Sequence, residues 1–584
     1  MKNKINNKFI NPPGMLGNAR RWLKSLTLGG LSVALATLPG QAAEKVYLDY
    51  KAFNRVIPIA SLEAFAANGT IDAQLQPYAG LFSPETQQKI RKVLGEPLRT
   101  ATPNLPKKLY SPFVLSQWLY DPIGERSLRF LGDYINTTNY LNGQQAIRSS
   151  VILSAAEPEG ATLINALKLF PTQGIRLNLD KMLALANELK AEAELTNKVV
   201  ATVTQLSKDA AAKEPKIDYA ALPNFAEAGP YGVVKQSLML QDPSRKGLKG
   251  TNVRQFPADL YLPKDLNAVQ GPLPVMVISH GYADSRTSFA TFAETLASNG
   301  FVVAVPEHIG SDEAYRDAME AGLTNESFQA MEFVNRPLDI TFLLDELQRK
   351  NTAEFQGRLK LDRVGVLGHS FGGYTALALA GATVDIERVK QRCAPDAKRS
   401  GVLSTAFLLE CRLLELTDSP DVIRQLTDGS LRDPRVQMVM AFAPVSNLFG
   451  KTGMSKIQIP VAILGGAYDV AAPVVPEQVD VFGRLAATDS DKYLYLAENT
   501  SHNADLTRIT QKLFNPGVEV TQNLEETRQL FRGVIKNLLV AFGRVYLLGQ
   551  EDFRPYLTSA YVETVSVEPQ KLHLVHSLPN KPEP

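Results

Sequence analysis

The segment Val364 to Gly373, which reads Val-Gly-Val-Leu-Gly-His-Ser-Phe-Gly-Gly, narrows the fold of this chain more than any other stretch. A short apolar run of β type breaks off at Gly368-His369-Ser370-Phe371-Gly372 and passes at once into the helix-forming residues 374–380. The order is strand, sharp turn, helix. A serine at the tip of so tight a turn needs glycine two residues before and two after it, because neighbouring backbone leaves no room for a Cβ. Gly368 and Gly372 meet that need. The turn lifts the Ser370 hydroxyl above a sheet and aims the N–H groups of the helix start, that of Phe371 among them, at charge developing on a bound carbonyl oxygen. Ser370 is the candidate nucleophile. The pentapeptide alone also arises by chance, and the strand before it and helix after it are what give it weight.

Strands and helices alternate around this turn. Residues 233–240 and 256–262 read as strands, and 275–278 run continuously apolar, as a strand buried on both faces does. A helix over 289–299, a strand over 301–305 and a long helical segment around 328–350 lead to the strand before Ser370. Strands over 436–442, 461–464 and 493–496 and a helix over 524–547 follow. The pattern predicts an α/β domain over 229–548, with a mainly parallel sheet covered by helices on both faces. Between 384 and 433 an insertion carries Val402, Ala406, Leu409, Leu413 and Leu416 at helical spacing. It reads either as a cap over an apolar pocket or as an ordinary helix packed on the sheet edge.

Before residue 228 the pattern is helical, which predicts a smaller all-helical domain over 44–228. Ser61 and Ser83 stand where N-caps would, the latter with Pro84 behind it and Gly95 closing its segment. Residues 179–213 predict one long helical arm or a hairpin of helices. The domain boundary falls at the Gly/Pro-rich stretch 226–232. Residues 549–584 are the C-terminal tail, whose polar, Pro-rich end from Glu568 to Pro584 predicts loose chain with solvated His573 and His576.

Acyl transfer needs a nucleophile, a base, a carboxylate to orient the base, and donors for the oxyanion. Each has a candidate at the carboxyl end of a predicted strand, where open α/β sheets place their sites. His502 lies after the last strand and Asp469 one strand earlier, in Gly465-Gly466-Ala467-Tyr468-Asp469. The order Ser370, Asp469, His502 is the one hydrolases of this fold use. Glu477 and Asp480 compete with Asp469 but lie further along. His369 is locked in the turn, and His280 and His308 read as supporting groups. The backbone N–H of Tyr282, in the loop after the third strand, is the expected oxyanion donor beside that of Phe371.

The first 43 residues are basic, then apolar over 26–38, then small at Pro39-Gly40-Gln41-Ala42-Ala43, which predicts an export signal and a periplasmic or extracellular protein. The apolar run falls short of the ~20 residues a bilayer span needs, and Arg20-Arg21 leaves the export route open. In an oxidising compartment Cys393 and Cys411, the only two cysteines, are either a disulfide or two buried thiols. A net charge of +2 without a basic, aromatic-interleaved stripe gives no support for nucleic-acid binding. Phosphate loops, dinucleotide fingerprints and Cys/His clusters are missing from the sequence, so neither cofactor nor metal is expected.

Residues 233–548 resemble an α/β-hydrolase. Ser279-His280-Gly281, Leu296 to Phe301, Glu307-His308, Gly368 to Gly373 and Ser501-His502 are similar to the platelet-activating factor acetylhydrolase and dienelactone hydrolase group. Val46 to Tyr50, Ile57 to Glu63 and Tyr78 to Leu81 resemble a domain of unknown function that precedes this hydrolase type in exported bacterial proteins. Those acetylhydrolases carry their acid just after the strand that follows the nucleophile helix. Here that loop, Ala443-Pro444-Val445-Ser446-Asn447, has no carboxylate, so Asp469 must serve. The resemblance implies a serine hydrolase of short-acyl lipid or phospholipid esters, in transient contact with a membrane surface. Other readings are a general carboxylesterase or polyester hydrolase, or a binding scaffold on a hydrolase fold. A peptidase is disfavoured, because the ~50-residue repeats of a gating propeller are missing.

Overall fold

The structure is a computed structural model that describes residues 42–101, 106–394, 404–488, 491–502, 524–566, 568 and 570–579. The expected export signal therefore lies outside the described residues except for its last two. The chain divides into two compact units, one of residues 1–113 and 128–182 and the other of residues 114–127 and 183–584.

The first unit corrects the all-helical expectation. It contains a four-stranded sheet in the order β2-β1-β4-β3, with β1 at Lys45–Tyr50, β2 at Phe53–Pro58, β3 at Ile135–Thr137 and β4 at Gly174–Asn178. β1 and β2 form a hairpin whose turn residue Lys51 takes φ 51°. Its period-2 alternation is only five or six residues long and sits in helix-forming surroundings, which hides it. Ser83 does cap the helix Pro84–Gly95, accepting from the Thr86 N–H at 3.2 Å. Ser61 does not cap. It lies inside the helix Ile59–Asn68 and gives its hydroxyl to Asp72 at 2.5 Å.

The second unit is built on a nine-stranded sheet. Its strands are β5 (Val233–Asp242), β6 (Arg254–Pro263), β7 (Leu273–Ser279), β8 (Val302–Pro306), β9 (Leu359–His369), β10 (Val436–Phe442), β11 (Val461–Gly466), β12 (Lys492–Ala497) and β13 (Leu572–Val575). They lie in the order β13-β12-β11-β10-β9-β7-β8-β6-β5, parallel from β8 to β12 and antiparallel at both edges. This is an α/β-hydrolase sheet, and the eight strands predicted from sequence are all in it. Its central strands are buried on both faces, as their continuous apolar runs require. One face packs on Ala290–Ser298 and Leu524–Leu548, with Phe301, Leu538, Leu539 and Phe542 in the core between.

Residues 179–211 form one helix rather than a hairpin, and from residue 183 it counts with the second unit. Its buried Ser207 accepts the N–H of Leu574 at 2.9 Å and donates to Glu563 at 2.6 Å. Residues 570–579 of the tail are correspondingly not loose. β13 pairs with β12, and His573, fully buried, sits between Glu563 at 2.6 Å and Glu498 at 2.9 Å. The alternation Leu572, Leu574 drives this strand inward, a signal too short to stand out beside the prolines. His576 likewise bonds the Lys492 carbonyl at 3.1 Å.

Although burial opposes the charge, the two carboxylates raise the His573 pKa from 6.5 to about 8. A raised folded pKa means stability that is fully present below about pH 6.5 and is lost as pH rises through about 8. The shift corresponds to at most about 2 kcal/mol. Hydrogen exchange at the amides of β13 is expected to accelerate between pH 6.5 and 8.5 beyond its intrinsic increase, and a His573→Gln variant is expected to lose that extra step.

Within 384–433 the helices Ile386–Cys393 and Thr405–Arg412 are joined by the Cys393–Cys411 disulfide across 18 residues. Ala406, Leu409 and Leu413 face inward, while Val402 lies outside the described residues. Closing a loop of this size stabilises by roughly 3 kcal/mol through chain entropy. Replacing both cysteines by serine is expected to lower the thermal midpoint by several degrees in a calorimetric scan, matched by reducing agent on the parent.

Candidate active site

Strand register brings the loops of interest to one edge of the sheet. Ser279 of β7 stands opposite Gly368 of β9, His369 opposite Phe442 of β10, and Phe442 opposite Leu464 of β11. The segments 280–282, 370, 443–447, 467–469 and 498–502 therefore all leave the sheet at its carboxyl ends. Non-glycine residues with positive φ collect here: Ala283 (57°), Ser370 (56°), Ala443 (42°) and Asn499 (50°). Strain of this kind persists only where surrounding structure over-determines it.

Ser370 is the N-cap of the helix Phe371–Leu379, with ψ −117°. Its N–H donates to the Phe442 carbonyl at 2.8 Å, and its carbonyl accepts from Val445 at 3.2 Å. A Cβ on Gly368 would fall 1.9 Å from the Gly372 carbonyl oxygen, and one on Gly372 would fall 2.0 Å from that of Ser279. Only glycine fits at either position, as the tight turn requires.

Asp469 and His502 are brought together, the Nδ1 of His502 lying 2.8 Å from Oδ2 of Asp469. The other carboxylate oxygen, Oδ1, accepts the N–H groups of Ala471 and Ala472, each at 2.8 Å. Both carboxylate oxygens are thus committed, and the side chain is fully buried. The helix Thr405–Arg412 abuts this loop, the Ala406 N–H donating to the Ala471 carbonyl at 2.8 Å. The insertion therefore borders the site on the Asp469 side. The His369 ring lies 4.8 Å from that of His502, tilted 41° to it, and burial first, then the His502 charge, push its pKa down to about 3. It is a neutral wall of the site.

The rival acid Glu477 is used elsewhere. Its Oε2 accepts the N–H groups of Ser446 at 2.8 Å and Asn447 at 2.9 Å, so a carboxylate from downstream enters the loop whose own sequence has none. Burial, and then the charge of Glu410, raise its pKa to about 8.

Of the two expected oxyanion donors, Phe371 is the first residue of its helix, where an N–H has no intrahelical acceptor. Tyr282 follows Gly281, whose Cβ position is 3.3 Å from the Ser370 Cβ, so its loop runs alongside the nucleophile. Two residues that no sequence motif marks hold this loop. Arg336, wholly buried, donates to the carbonyls of His280 at 2.6 Å and Gly281 at 3.1 Å and to Ser311 Oγ at 2.8 Å. Its guanidinium also lies 4.8 Å from the Phe371 ring centre. Asp121, from the segment 114–127, accepts the Ser327 N–H at 2.6 Å, and Ser327 Oγ bonds the Tyr282 hydroxyl at 2.5 Å. Burial and then the Asp121 charge hold that phenol well above its ordinary pKa.

His280 and His308 are supports, as expected. His280 Nε2 accepts the His308 N–H at 3.0 Å while Nδ1 bonds the Gly281 carbonyl. Burial and Arg336 hold both imidazoles neutral, His308 at about 4. His308 Nδ1 in turn faces Asp339 at 3.4 Å. Although burial alone would raise it, the Asp339 carboxyl is kept well below the usual range by its two-pronged pairing with Arg254.

Among the described residues no cluster of metal-ligating side chains occurs, and no helix is long and apolar enough to cross a membrane. Residues 252–327, from β6 through the Tyr282 loop to Ser327, match the family of platelet-activating factor acetylhydrolase, isoform II. Residues 42–178, ahead of the nine-stranded sheet, match a family described as an alpha/beta hydrolase of unknown function. Sheet order and the strand-turn-helix at Ser370 give the second unit an α/β-hydrolase fold, and the chain is similar to the platelet-activating factor acetylhydrolase isoform II group across the strands that carry the Tyr282 loop.

Proposed function

We propose that the chain is an exported serine esterase acting on short-acyl lipid or phospholipid esters through Ser370, His502 and Asp469. The observation that carries this reading is the 2.8 Å bond between His502 Nδ1 and a fully committed Asp469, at the sheet edge where Ser370 precedes its helix. His502 Nε2 takes the Ser370 proton as Oγ attacks the ester carbonyl. The N–H groups of Phe371 and Tyr282 hold the oxyanion. The tetrahedral intermediate collapses, and His502 returns the proton to the departing alcohol. Water, with His502 again as base, then attacks the acyl-enzyme and releases the acid. Export is supported by the Cys393–Cys411 bridge and by the basic-apolar-small pattern of residues 1–43. A short-acyl preference rests on the acetylhydrolase match over residues 252–327.

The test is hydrolysis of p-nitrophenyl esters from acetyl to palmitoyl, and of a 1-alkyl-2-acetyl phospholipid, by parent and Ser370→Ala. Parent activity greatest at acetyl, with a loss of roughly 10⁶-fold in kcat for the variant, is expected. Activity rising with acyl length replaces the acetylhydrolase reading with a lipase or polyester hydrolase. A parent no faster than the variant across the series overturns the enzyme reading in favour of a scaffold.

A further inference from the structure

A cavity lies in the first unit, lined by residues that the family of unknown function matches and by Leu179 just beyond them. One face of the β1–β2 hairpin is apolar at every second position: Leu48 and Tyr50 on β1, and Phe53 and Ile57 on β2. Arg55 is the exception on that face, paired in register with Leu48. Leu62 and Phe65 from the helix Ile59–Asn68 and Ile90 from Pro84–Gly95 stand across from it. The half-open space between them measures about 610 Å³, within the range of ligand pockets.

The pocket is a formed structure. Asp72 accepts the Ser61 hydroxyl and the N–H groups of Gln74 and Leu75, which fixes the loop bearing the lining residues Ile71 and Leu75. Arg91 ties the two helices by donating to the carbonyls of Ala66 and Ala67. Gln87, the only amide in the lining, spends its NH₂ on the Ala79 and Phe82 carbonyls. A polar ligand would find almost no partners inside.

The opening has a different character. Phe53 is 69% exposed, Leu81 74% and Phe82 46%, although all three line the cavity. Arg55 is exposed beside them, is the one charged residue of the lining, and makes no ion pair among the described residues. An apolar interior with a single cation at its solvent side suits an unbranched amphiphile with an anionic head. A methylene takes up about the space of a water molecule, ~30 Å³, so the cavity holds a chain of about sixteen to twenty carbons.

We propose that this cavity binds the alkyl chain of a long-chain fatty acid, with Arg55 facing its carboxylate. The site is distinct from Ser370, and a fatty acid has no ester bond to cleave, so its occupancy does not depend on the hydrolase reading.

The experiment is displacement of cis-parinaric acid from the full chain by saturated fatty acids of ten to twenty carbons, by hexadecan-1-ol, and by acetate as control. Affinity is expected to rise by up to about fourfold per methylene and to level off near sixteen to twenty carbons. Ala79→Trp, which fills the cavity from its wall, is expected to weaken hexadecanoate by about 30-fold or more. Arg55→Glu, at an exposed position that leaves folding intact, is expected to weaken hexadecanoate by about fivefold while sparing hexadecan-1-ol. Thermal scans establish that each variant is folded. Saturable binding unchanged in both variants, or no saturable binding by the parent, overturns the assignment. Loss in Ala79→Trp with equal effects of Arg55→Glu on acid and alcohol overturns the role of Arg55. Co-sedimentation with phosphatidylglycerol vesicles that survives both substitutions, without displacement by free acid, marks a membrane-surface site and overturns the pocket.

Discussion

Asp469→Asn is expected to lower kcat for ester hydrolysis by about 10⁴-fold while leaving the protein folded. The reason lies in how the carboxylate is committed. Oδ1 accepts two backbone N–H groups, from Ala471 and Ala472, and an asparagine must turn its carbonyl oxygen toward them. Its NH₂ then occupies the place of Oδ2 and faces His502 Nδ1, which Oδ2 holds at 2.8 Å. That nitrogen is forced to accept, so the imidazole proton moves to Nε2 and the base presents N–H to Ser370. The tautomer is wrong, and hydrolysis stops although nothing has moved. Steady-state kinetics beside a thermal scan check this. A variant within tenfold of the parent would show that another carboxylate orients His502.

Arg336→Leu is expected to be the most damaging substitution remote from the nucleophile. The leucine leaves the His280 carbonyl buried without its donor, at a cost of about 1–3 kcal/mol, and leaves the Gly281 carbonyl only the His280 Nδ1–H. Removing one partner from a buried charged network costs about 3–5 kcal/mol. The oxyanion loop also loses what holds it, so kcat in any folded fraction is expected to fall by a further 10²- to 10³-fold, the typical effect of one lost oxyanion donor. Denaturant midpoint and kcat of the soluble variant measure the two effects separately. A soluble variant with parental kcat would mean that the Tyr282 N–H plays no part.

The candidate site divides into what the sequence can carry and what it cannot. The elbow is legible because its chemistry is local: Gly368 and Gly372 are demanded by contacts within a few residues or with the neighbouring strand. Asp469 and His502 are legible as loop residues after two late strands, since parallel strands present their carboxyl ends to one edge. Arg336 and Asp121 leave no such trace. Arg336 acts on backbone carbonyls 55 and 56 residues away, and Asp121 reaches Ser327 across 206 residues. Side chains that serve backbone groups require no complementary residue type, so no pair of letters gives them away. The buried strands of the large sheet stand out as continuous apolar runs, whereas β1 to β4 and β13 are short and half-exposed or masked by prolines. His573 illustrates the consequence. Its partners Glu498 and Glu563 become neighbours only once β13 docks on β12.

The most direct test of the central claim is covalent. Incubating the protein with a p-nitrophenyl alkylphosphonate and measuring intact mass should show one adduct per chain, located by peptide mapping on Ser370. The adduct should be absent from Ser370→Ala and formed at least 10³-fold more slowly by Asp469→Asn. Ester hydrolysis that continues with Ser370 unlabelled, or an adduct mapping to any other residue, would contradict the account.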